Sequence, residues 1–377
     1  MKKTITLAPS GREVPCRSGE TVLGALEHAG YALPDNCRAG ACGECKTRVV
    51  AGEVDQGIVL DMALSPDERE AGWRLMCMAK PVDDVIEIEF GTDDARPKLF
   101  APRDRVLCVV TEKIRRTPRI VEVRLRPVGD PVRYWPGQYL MVGDERAGVP
   151  PRPYSIACAP RADGELILLV ARVPDGVTSN WIHDGLAVGD RLTVAGPYGT
   201  FIGDPGTDTP VLCLAAGSGL APILALTDAA LRRGFPHAVT ILYSARHEAD
   251  VFDEGLVAWW TAKHRRFDFH VTYTGDNPPH GARHTGRIPT MLDRVEGDLS
   301  GHAVYIAGSP DFVEACAHAA RALGAVDERI FIEKYHPQSP PEKAPASHLV
   351  GLGAETRELG ARLPPVTSMR SSSRQRP

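Results

Sequence analysis

Residues 37–45 read Cys37-Arg38-Ala39-Gly40-Ala41-Cys42-Gly43-Glu44-Cys45, and a further cysteine follows at position 77. This C-x4-C-x2-C spacing, with a distant fourth cysteine, is one by which thiolates hold a [2Fe–2S] cluster. Because the loop must wrap a compact, negatively charged cluster closely, most residues between the ligands are small. Small residues also let backbone N–H groups point at the sulfur atoms. The sequence therefore predicts that a [2Fe–2S] cluster is held by Cys37, Cys42, Cys45 and Cys77.

Two other interpretations of these cysteines stay open at this stage. Zinc usually takes two short cysteine pairs or a mixture of cysteine and histidine, whereas here three cysteines lie within nine residues. Unliganded thiols are the second alternative. The remaining five cysteines are scattered through mostly apolar stretches and are predicted to be small buried hydrophobic residues: Cys16, Cys108, Cys158, Cys213 and Cys316.

The chain has 377 residues, which is enough for two or three domains. Residues 1–92 mix strand and helix patterns and predict a small α+β domain. Residues 93–103 are polar, contain two prolines and are interpreted as a linker. Residues 104–205 hold short strands punctuated by glycine and proline, as in an antiparallel β-barrel. Strands alternate with helices over 206–336, which predicts a parallel α/β sheet. Residues 337–377 are rich in proline and serine, lack periodicity and are predicted to be a disordered tail.

Local signals place several elements within these domains. Ser18 is a candidate N-cap for the first helix. The stretch 154–159 is predicted to be a strand. Ser309-Pro310 has the pattern of an N-cap followed by the first helical position, and Gly324 is expected just past the end of that helix.

The charge distribution limits the kinds of partner that the protein is expected to bind. The formal net charge of −4 argues against nucleic acid as the main partner. Residues 1–95 hold 10 Lys/Arg and 17 Asp/Glu, so the first domain is acidic and suited to docking on a basic surface, although a plain solvated face explains the same count. The N-terminus has no apolar signal segment, and the most apolar window, 211–226, is too short to span a bilayer. We expect a cytoplasmic protein without a membrane span.

Four segments of the middle domain resemble the FAD-binding motifs of the ferredoxin–NADP reductase superfamily. They are Trp135-Pro136-Gly137-Gln138-Tyr139, Arg152-Pro153-Tyr154-Ser155, Gly176-Val177-Thr178-Ser179 and Gly196-Pro197-Tyr198-Gly199. The resemblance implies that Arg152 pairs with the FAD diphosphate, since arginine makes charge-assisted bonds to phosphate. It implies that Tyr154 packs on the flat isoalloxazine ring and that Ser155 lies near the flavin atom that receives hydride. The segment 176–179 is then the second phosphate contact, at a helix N-terminus.

The last domain carries three segments expected at a nicotinamide dinucleotide. The apolar run from Val211 leads into Gly217-Ser218-Gly219 and then Pro222, which resembles the superfamily's GxGxxP turn and lets a phosphate approach the backbone. Arg246 follows the next strand, where it can pair with the 2′-phosphate of NADPH or pack over adenine. Ala307-Gly308 matches the superfamily's YxCGxP segment, except that alanine stands where many members carry cysteine. That departure leaves the positioning of the nicotinamide open. Tyr335, near the end of the last strand, is a further candidate close to the flavin.

Taken together, residues 1 to about 336 resemble the reductase component of bacterial multicomponent oxygenases, such as those for benzoate, phenol, toluene or methane. The resemblance implies a plant-type ferredoxin domain of β-grasp fold, an FAD barrel and an NAD-binding α/β domain. It also implies electron transfer from NADH, with NADPH as the alternative, through FAD to the [2Fe–2S] cluster and on to an oxygenase. FAD stands between the two because hydride carries two electrons and the cluster accepts one. A reductase for deoxysugar biosynthesis and a redox sensor or carrier without turnover are the alternative functions.

Overall fold

The computed structural model describes residues 3–91, 95–96, 98–204, 206–252 and 254–336. The predicted disordered tail, residues 337–377, lies outside the described residues, as do residues 93, 94 and 97 of the predicted linker. No helix among the described residues combines the length and the apolar character needed to cross a bilayer.

The first domain is a mixed sheet with a helix in its core. Its elements are β1 (Lys3–Ala8), β2 (Arg12–Cys16), α1 (Val22–His28), β3 (Lys46–Ala51), β4 (Val54–Asp55), α2 (Pro66–Glu70), β5 (Trp73–Leu75), β6 (Lys80–Pro81) and β7 (Val85–Glu89). The main sheet has the order β2-β1-β7-β3-β5, with β1 antiparallel to β2 and parallel to β7. Ile86 and Ile88 alternate with exposed or half-buried residues along β7, so this strand buries one face against Leu23 and Leu26 of α1. The expected β-grasp arrangement is confirmed.

The second domain is an antiparallel barrel. Its elements are β8 (Arg103–Arg115), β9 (Ile120–Pro127), β10 (Tyr139–Asp144), β11 (Val149–Ser155), β12 (Leu166–Ala171), α3 (Val177–Asn180) and β13 (Arg191–Tyr198). The six strands have the order β11-β10-β13-β8-β9-β12. A bridge between Ile156 and Leu168 joins the two edge strands, and this contact closes the sheet into the predicted barrel.

The third domain is a parallel sheet with helices. Its elements are β14 (Val211–Ala216), α4 (Leu220–Arg232), β15 (Val239–Ala245), α5 (Glu254–Lys263), β16 (Phe267–Tyr273), β17 (His284–Thr285), α6 (Leu292–Val295), β18 (Ala303–Gly308), α7 (Pro310–Ala322) and β19 (Ile330–Lys334). The strand order is β17-β16-β15-β14-β18-β19. The order reverses between β14 and β18, and ligands of such sheets bind beyond the carboxyl ends of the strands at this point.

Some local expectations hold and others are wrong. Ser309 is the N-cap of α7 with Pro310 in its first turn, as predicted. The N-cap of α1 is Thr21, not Ser18, because the Thr21 hydroxyl accepts the Gly24 N–H at 3.2 Å. The strand expected at 154–159 instead ends at Ser155. Its pairing with β10 runs from Asp144–Val149 to Tyr139–Ser155, so the partner strand fixes the boundary.

Part of the predicted linker contacts the domains on both sides of it. The N–H groups of Lys98 and Leu99 both donate to the Gly30 carbonyl, at 2.8 and 2.9 Å. Phe100 stacks on Trp135 with ring centroids 5.5 Å apart, and the Trp135 Nε1–H donates to the Lys98 carbonyl at 3.0 Å. This segment therefore ties the β-grasp domain to the barrel.

Candidate cluster, flavin and nicotinamide sites

The four predicted cluster ligands lie together, in two pairs. Cys37 and Cys42 are hydrogen-bond neighbours through their thiols, and so are Cys45 and Cys77. The Cys37 Sγ accepts backbone N–H groups from Ala39, Ala41 and Cys42 at 3.3–3.4 Å. The Cys45 Sγ accepts the Cys77 N–H at 3.4 Å. Backbone donors thus point at the sulfur atoms.

A two-and-two grouping of thiols fits a binuclear cluster, in which each iron takes two thiolates. A tetrahedral zinc site instead draws its ligands around one point. The donor set therefore suits a [2Fe–2S] cluster.

Two glycines let the cysteine loop pack closely. Gly40 has φ +70°, and a Cβ there would lie 3.0 Å from Met78 and 3.1 Å from Val59. Gly43 has φ +80°, and its Cβ would lie 3.2 Å from the Ala63 carbonyl oxygen. Only glycine meets the backbone conformation and the spacing at both positions.

Arg38 is the one large residue between the first two cysteines, and it faces the barrel. Its guanidinium makes two bonds of 2.6 Å to the Glu27 carboxylate and one of 3.1 Å to Asp35. It donates to the Tyr139 hydroxyl at 3.2 Å and lies 4.3 Å from the centroid of the Tyr198 ring. Arg38 adopts φ +53°, a conformation unusual for a residue with a side chain. The contacts on both sides of the interface hold it there.

Tyr139 completes this arrangement from the barrel side. Its hydroxyl donates to Asp35 Oδ2 at 2.8 Å. Asp35 and Tyr139 are both buried, and burial raises the pKa of Asp35, although the Arg38 charge and the Tyr139 bond oppose that rise. Glu27, Asp35, Arg38, Tyr139 and Tyr198 are called the interface cluster below.

A second contact links the cysteine loop to the last strand. The Asn36 side-chain amide donates to the Lys334 carbonyl oxygen. The Lys334 ammonium lies 3.4 Å from the Glu44 carboxylate. The cysteine loop therefore contacts both the barrel and the end of the nucleotide-binding domain.

The predicted flavin residues share one strand and the short helix beside it. Arg152, Tyr154 and Ser155 lie on β11, which pairs with the strand carrying Tyr139. The Thr178 hydroxyl donates to the Pro150 carbonyl at 2.5 Å, which joins α3 to β11. The Ser179 hydroxyl is also engaged within its own turn, by the Val173 N–H and the Gly176 carbonyl. The backbone N–H groups of this turn, not its hydroxyls, are therefore its best donors to a phosphate.

Ser155 meets the candidate Tyr335 across the two domains. The two hydroxyl oxygens are 3.0 Å apart, and the Tyr335 N–H donates to the Gly308 carbonyl at 2.8 Å. Burial raises the pKa of Tyr335, and the Glu333 carboxyl adds to the rise, so the phenol stays protonated at neutral pH. Ser155, Tyr335 and Gly308 thus form a connected polar contact at the junction of barrel and parallel sheet.

The predicted nucleotide residues gather at the carboxyl edge of the parallel sheet. Gly217, Ser218 and Gly219 form a single turn between β14 and α4, with Pro222 in the first turn of that helix. The register pairs Ala215 with Ala307 and Ala216 with Ser244. Gly308 and Arg246 therefore follow at the same edge, with Arg246 exposed and Ala307 fully buried. The Gly219 backbone lies so close to the Ala307 carbonyl that a Cβ would collide with it.

Sequence reasoning missed most of the interface cluster. Tyr139 and Tyr198 were visible within motifs, but Glu27, Asp35 and Arg38 were not predicted to act at the site. Arg38 is a large residue among small ones in a loop that has to pack closely, and this contrast in size is the feature of the sequence that indicates a role for it. Its partner tyrosine on the barrel lies 101 residues away, so no local pattern could supply the pairing.

Three families match successive parts of the chain. Residues 5–82 match the 2Fe-2S iron-sulfur cluster binding domain. Residues 107–202 match the oxidoreductase FAD-binding domain. Residues 213–318 match the oxidoreductase NAD-binding domain.

Curated relatives match over nearly the same length. The reductase subunit of an aromatic O-demethylase from Amycolatopsis sp. is 34% identical over 345 residues, covering 89% of this chain and all of the relative. The electron transfer component of xylene/toluene monooxygenase from Pseudomonas putida is 28% identical, covering 90% of this chain and 95% of the relative. The reductase component of phenol 2-monooxygenase from Pseudomonas sp. is 27% identical, covering 89% and 95%.

Solved structures of similar proteins share this three-domain architecture. The crystal structure of an Amycolatopsis cytochrome P450 reductase superposes with a TM-score of 0.81 at 31% identity, covering 89% of this chain and 99% of the other. A ferredoxin reductase of carbazole 1,9a-dioxygenase shares the fold with a TM-score of 0.72 at 24% identity, covering the same shares of the two chains. With the three domains in this order and 89% of the chain matched to a relative along that relative's whole length, the chain belongs to the family of oxidoreductases that join a [2Fe–2S] domain to FAD- and NAD-binding domains in one polypeptide.

Proposed function

We propose that this reductase delivers electrons from NADH, by way of FAD and the [2Fe–2S] cluster, to the oxygenase component of an aromatic or hydrocarbon oxygenase. The observation that carries the proposal is the interface cluster. Arg38 is the direct neighbour of Cys37, and it contacts Tyr139 and Tyr198 of the barrel. Tyr139 in turn pairs with Ser155 in the register of the two flavin-side strands. A short path from the flavin strand to the cysteine loop follows from these contacts.

Each predicted site residue has a distinct role in this proposal. Cys37, Cys42, Cys45 and Cys77 would hold the two irons. Arg152 and the backbone of 176–179 would hold the FAD diphosphate. When bound, FAD supplies the link between the two electrons that NADH gives up as hydride and the single electrons that the cluster accepts. Tyr154 would pack on the flavin ring and Ser155, oriented by Tyr335, would hydrogen-bond beside it.

The nicotinamide residues would work at the edge of the parallel sheet. The turn Gly217-Ser218-Gly219 and Pro222 would admit the dinucleotide phosphates at the start of α4. Ala307 and Gly308 would lie beside the nicotinamide ring. Arg246 is exposed, and we propose that it packs over the adenine of NADH; NADPH is the alternative that its charge allows.

The relatives favour an oxygenase as the acceptor over a deoxysugar pathway. An aromatic O-demethylase, a xylene/toluene monooxygenase and a phenol 2-monooxygenase are the systems named for the three relatives above. We further propose a cytoplasmic location, where the nine cysteines, all free of disulfides in the structure, would stay reduced. We propose domain limits of 1–92, 104–205 and 206–336, with 93–103 as linker and 337–377 as tail.

Turnover with an oxygenase tests this proposal. The purified holoprotein would be mixed with NADH and the oxygenase component encoded nearest to its gene, and substrate oxidation would be measured with and without each protein. We expect NADH consumption coupled to product. A holoprotein that NADH does not bleach in the absence of oxygen would instead support a carrier or sensor without turnover.

A further inference from the structure

An exposed apolar segment adjoins the cysteine loop. Ile58 is 89% exposed, Met62 is 87% exposed and Leu60 is 50% exposed. Ile58 and Met62 are the two most exposed large hydrophobic side chains among the described residues. Single exposed apolar side chains are ordinary, but three within five residues form a patch that water solvates poorly. Ile58, Leu60 and Met62 are called the apolar patch below.

The apolar patch lies against the part of the loop between Cys37 and Cys42. The Leu60 N–H donates to the Gly40 carbonyl at 3.2 Å. Gly40 itself packs on Val59 and Met78, so that part of the loop rests on the segment that carries the patch. The patch is therefore held directly beside two of the four cluster ligands.

The flavin side of the loop is already occupied. Asn36 contacts the last strand, and Arg38 is enclosed by Glu27, Tyr139 and Tyr198. Ala39 and Ala41, on either side of Gly40, remain exposed. An electron that enters from the flavin side must leave through the part of the loop that a second protein can reach, which is the part next to the apolar patch.

Acidic side chains border the apolar patch along the chain. Asp55 and Asp61 are both exposed. Arg69 pairs with Asp61, but the whole domain remains acidic, since residues 1–95 hold 17 Asp/Glu against 10 Lys/Arg. Protein interfaces commonly combine an apolar centre with a polar rim. A partner protein whose surface complements this one would have apolar side chains at the centre of its contact face and basic side chains around them.

We infer that Ile58, Leu60 and Met62 form the docking surface for the protein that accepts electrons from the cluster, an acceptor with an apolar contact face bordered by basic residues. This inference rests on the proposed electron-transfer function and specifies where the partner binds. Apolar contacts at the centre set the affinity, and the acidic rim sets the orientation and the rate of encounter.

The double substitution Ile58→Ser with Met62→Ser tests the inference on the holoprotein. Both side chains are almost fully exposed, so the fold keeps its core. Cytochrome c, a small basic haem protein, is the probe for a protein acceptor, and ferricyanide is the small acceptor that needs no docking surface. We expect the KM for cytochrome c to rise about tenfold, as for the loss of central interface side chains, with ferricyanide reduction unchanged. Val188→Ser, at a residue of the barrel domain that is 61% exposed, is the matched control and should leave both activities unchanged.

The possible outcomes separate the two proposals. If NADH bleaches the flavin and the cluster of the double variant normally, but its KM for cytochrome c matches that of the Val188→Ser control, the apolar patch is not the docking surface and the proposed function stands. If the unsubstituted holoprotein is not bleached by NADH, the proposed electron-transfer function itself fails.

Discussion

The Tyr139 hydroxyl donates a hydrogen bond to Asp35 across 104 residues of chain, at 2.8 Å and out of contact with solvent. Tyr139 begins a strand of the barrel, and Asp35 lies two residues before the first predicted cluster ligand. This bond and the Arg38 contacts beside it fix the cysteine loop against the flavin side of the barrel. The rate of electron transfer between the two cofactors should therefore depend on Asp35, Arg38 and Tyr139.

Tyr139→Phe removes only this hydroxyl and keeps the ring. The substitution leaves Asp35 Oδ2 with Arg38 as its one remaining partner, so we expect a loss of about 1–2 kcal/mol in the free energy of unfolding. We also expect slower reduction of cytochrome c with unchanged reduction of ferricyanide, because only the first needs the cluster. Equal changes in both activities would mean that Tyr139 acts on the flavin site and not on the position of the loop.

Arg38→Met should be far more damaging, because it leaves the Glu27 and Asp35 carboxylates buried without their cation. Removing one partner of a buried ion pair destabilises by about 3–5 kcal/mol. Denaturant unfolding followed by the visible absorption of the cluster measures this effect. Arg172→Met, which breaks a surface pair with Asp184, is the control and should lower the free energy of unfolding far less. Similar losses for the two variants would contradict the role given to Arg38.

Cys77→Ser should separate the two redox sites. We expect iron and sulfide to be lost, because one iron would lack a thiolate, while flavin content and ferricyanide reduction remain. Reduction of cytochrome c should fall to background. Cys316→Ser, at a buried position of helix α7, is the control that should retain its iron. Full iron content in the Cys77 variant would remove that residue from the ligand set.

Gly219→Ala should weaken NADH binding at the carboxyl edge of the parallel sheet and leave the other cofactor sites intact. The new methyl group would collide with the Ala307 carbonyl and press on the Gly308 backbone. We expect the KM for NADH to rise and flavin and iron content to stay the same. Gly255→Ala, in α5 with nothing within 4 Å of the added Cβ, is the matched control and should leave the KM unchanged. An unaffected KM in the Gly219 variant would place the dinucleotide elsewhere.

Local patterns predicted the three domains and their order because each rests on short-range information. Alternation along β7, the glycine turn after β14 and the Ser309-Pro310 start of α7 can all be recognised within a few residues. The cysteine spacing predicted a cluster for a similar reason, since three of its four ligands lie in one loop.

Contacts between the domains could not be predicted in this way. Arg38 meets Tyr139 across 101 residues, and Ser155 meets Tyr335 across 180. Both pairings depend on how one folded domain rests on another, which no periodicity in the chain records. The helix cap shows the same limit on a small scale, because Ser18 and Thr21 are both residue types that favour N-caps, yet α1 begins after Thr21.

The most direct test of this account is to mix the anaerobic holoprotein rapidly with NADH and follow the flavin absorbance together with the signal of the reduced cluster. We expect the flavin to bleach first and the reduced cluster to appear afterwards, more slowly in Tyr139→Phe than in the unsubstituted protein. A flavin that bleaches while the cluster stays oxidised would contradict the path across Asp35, Arg38 and Tyr139.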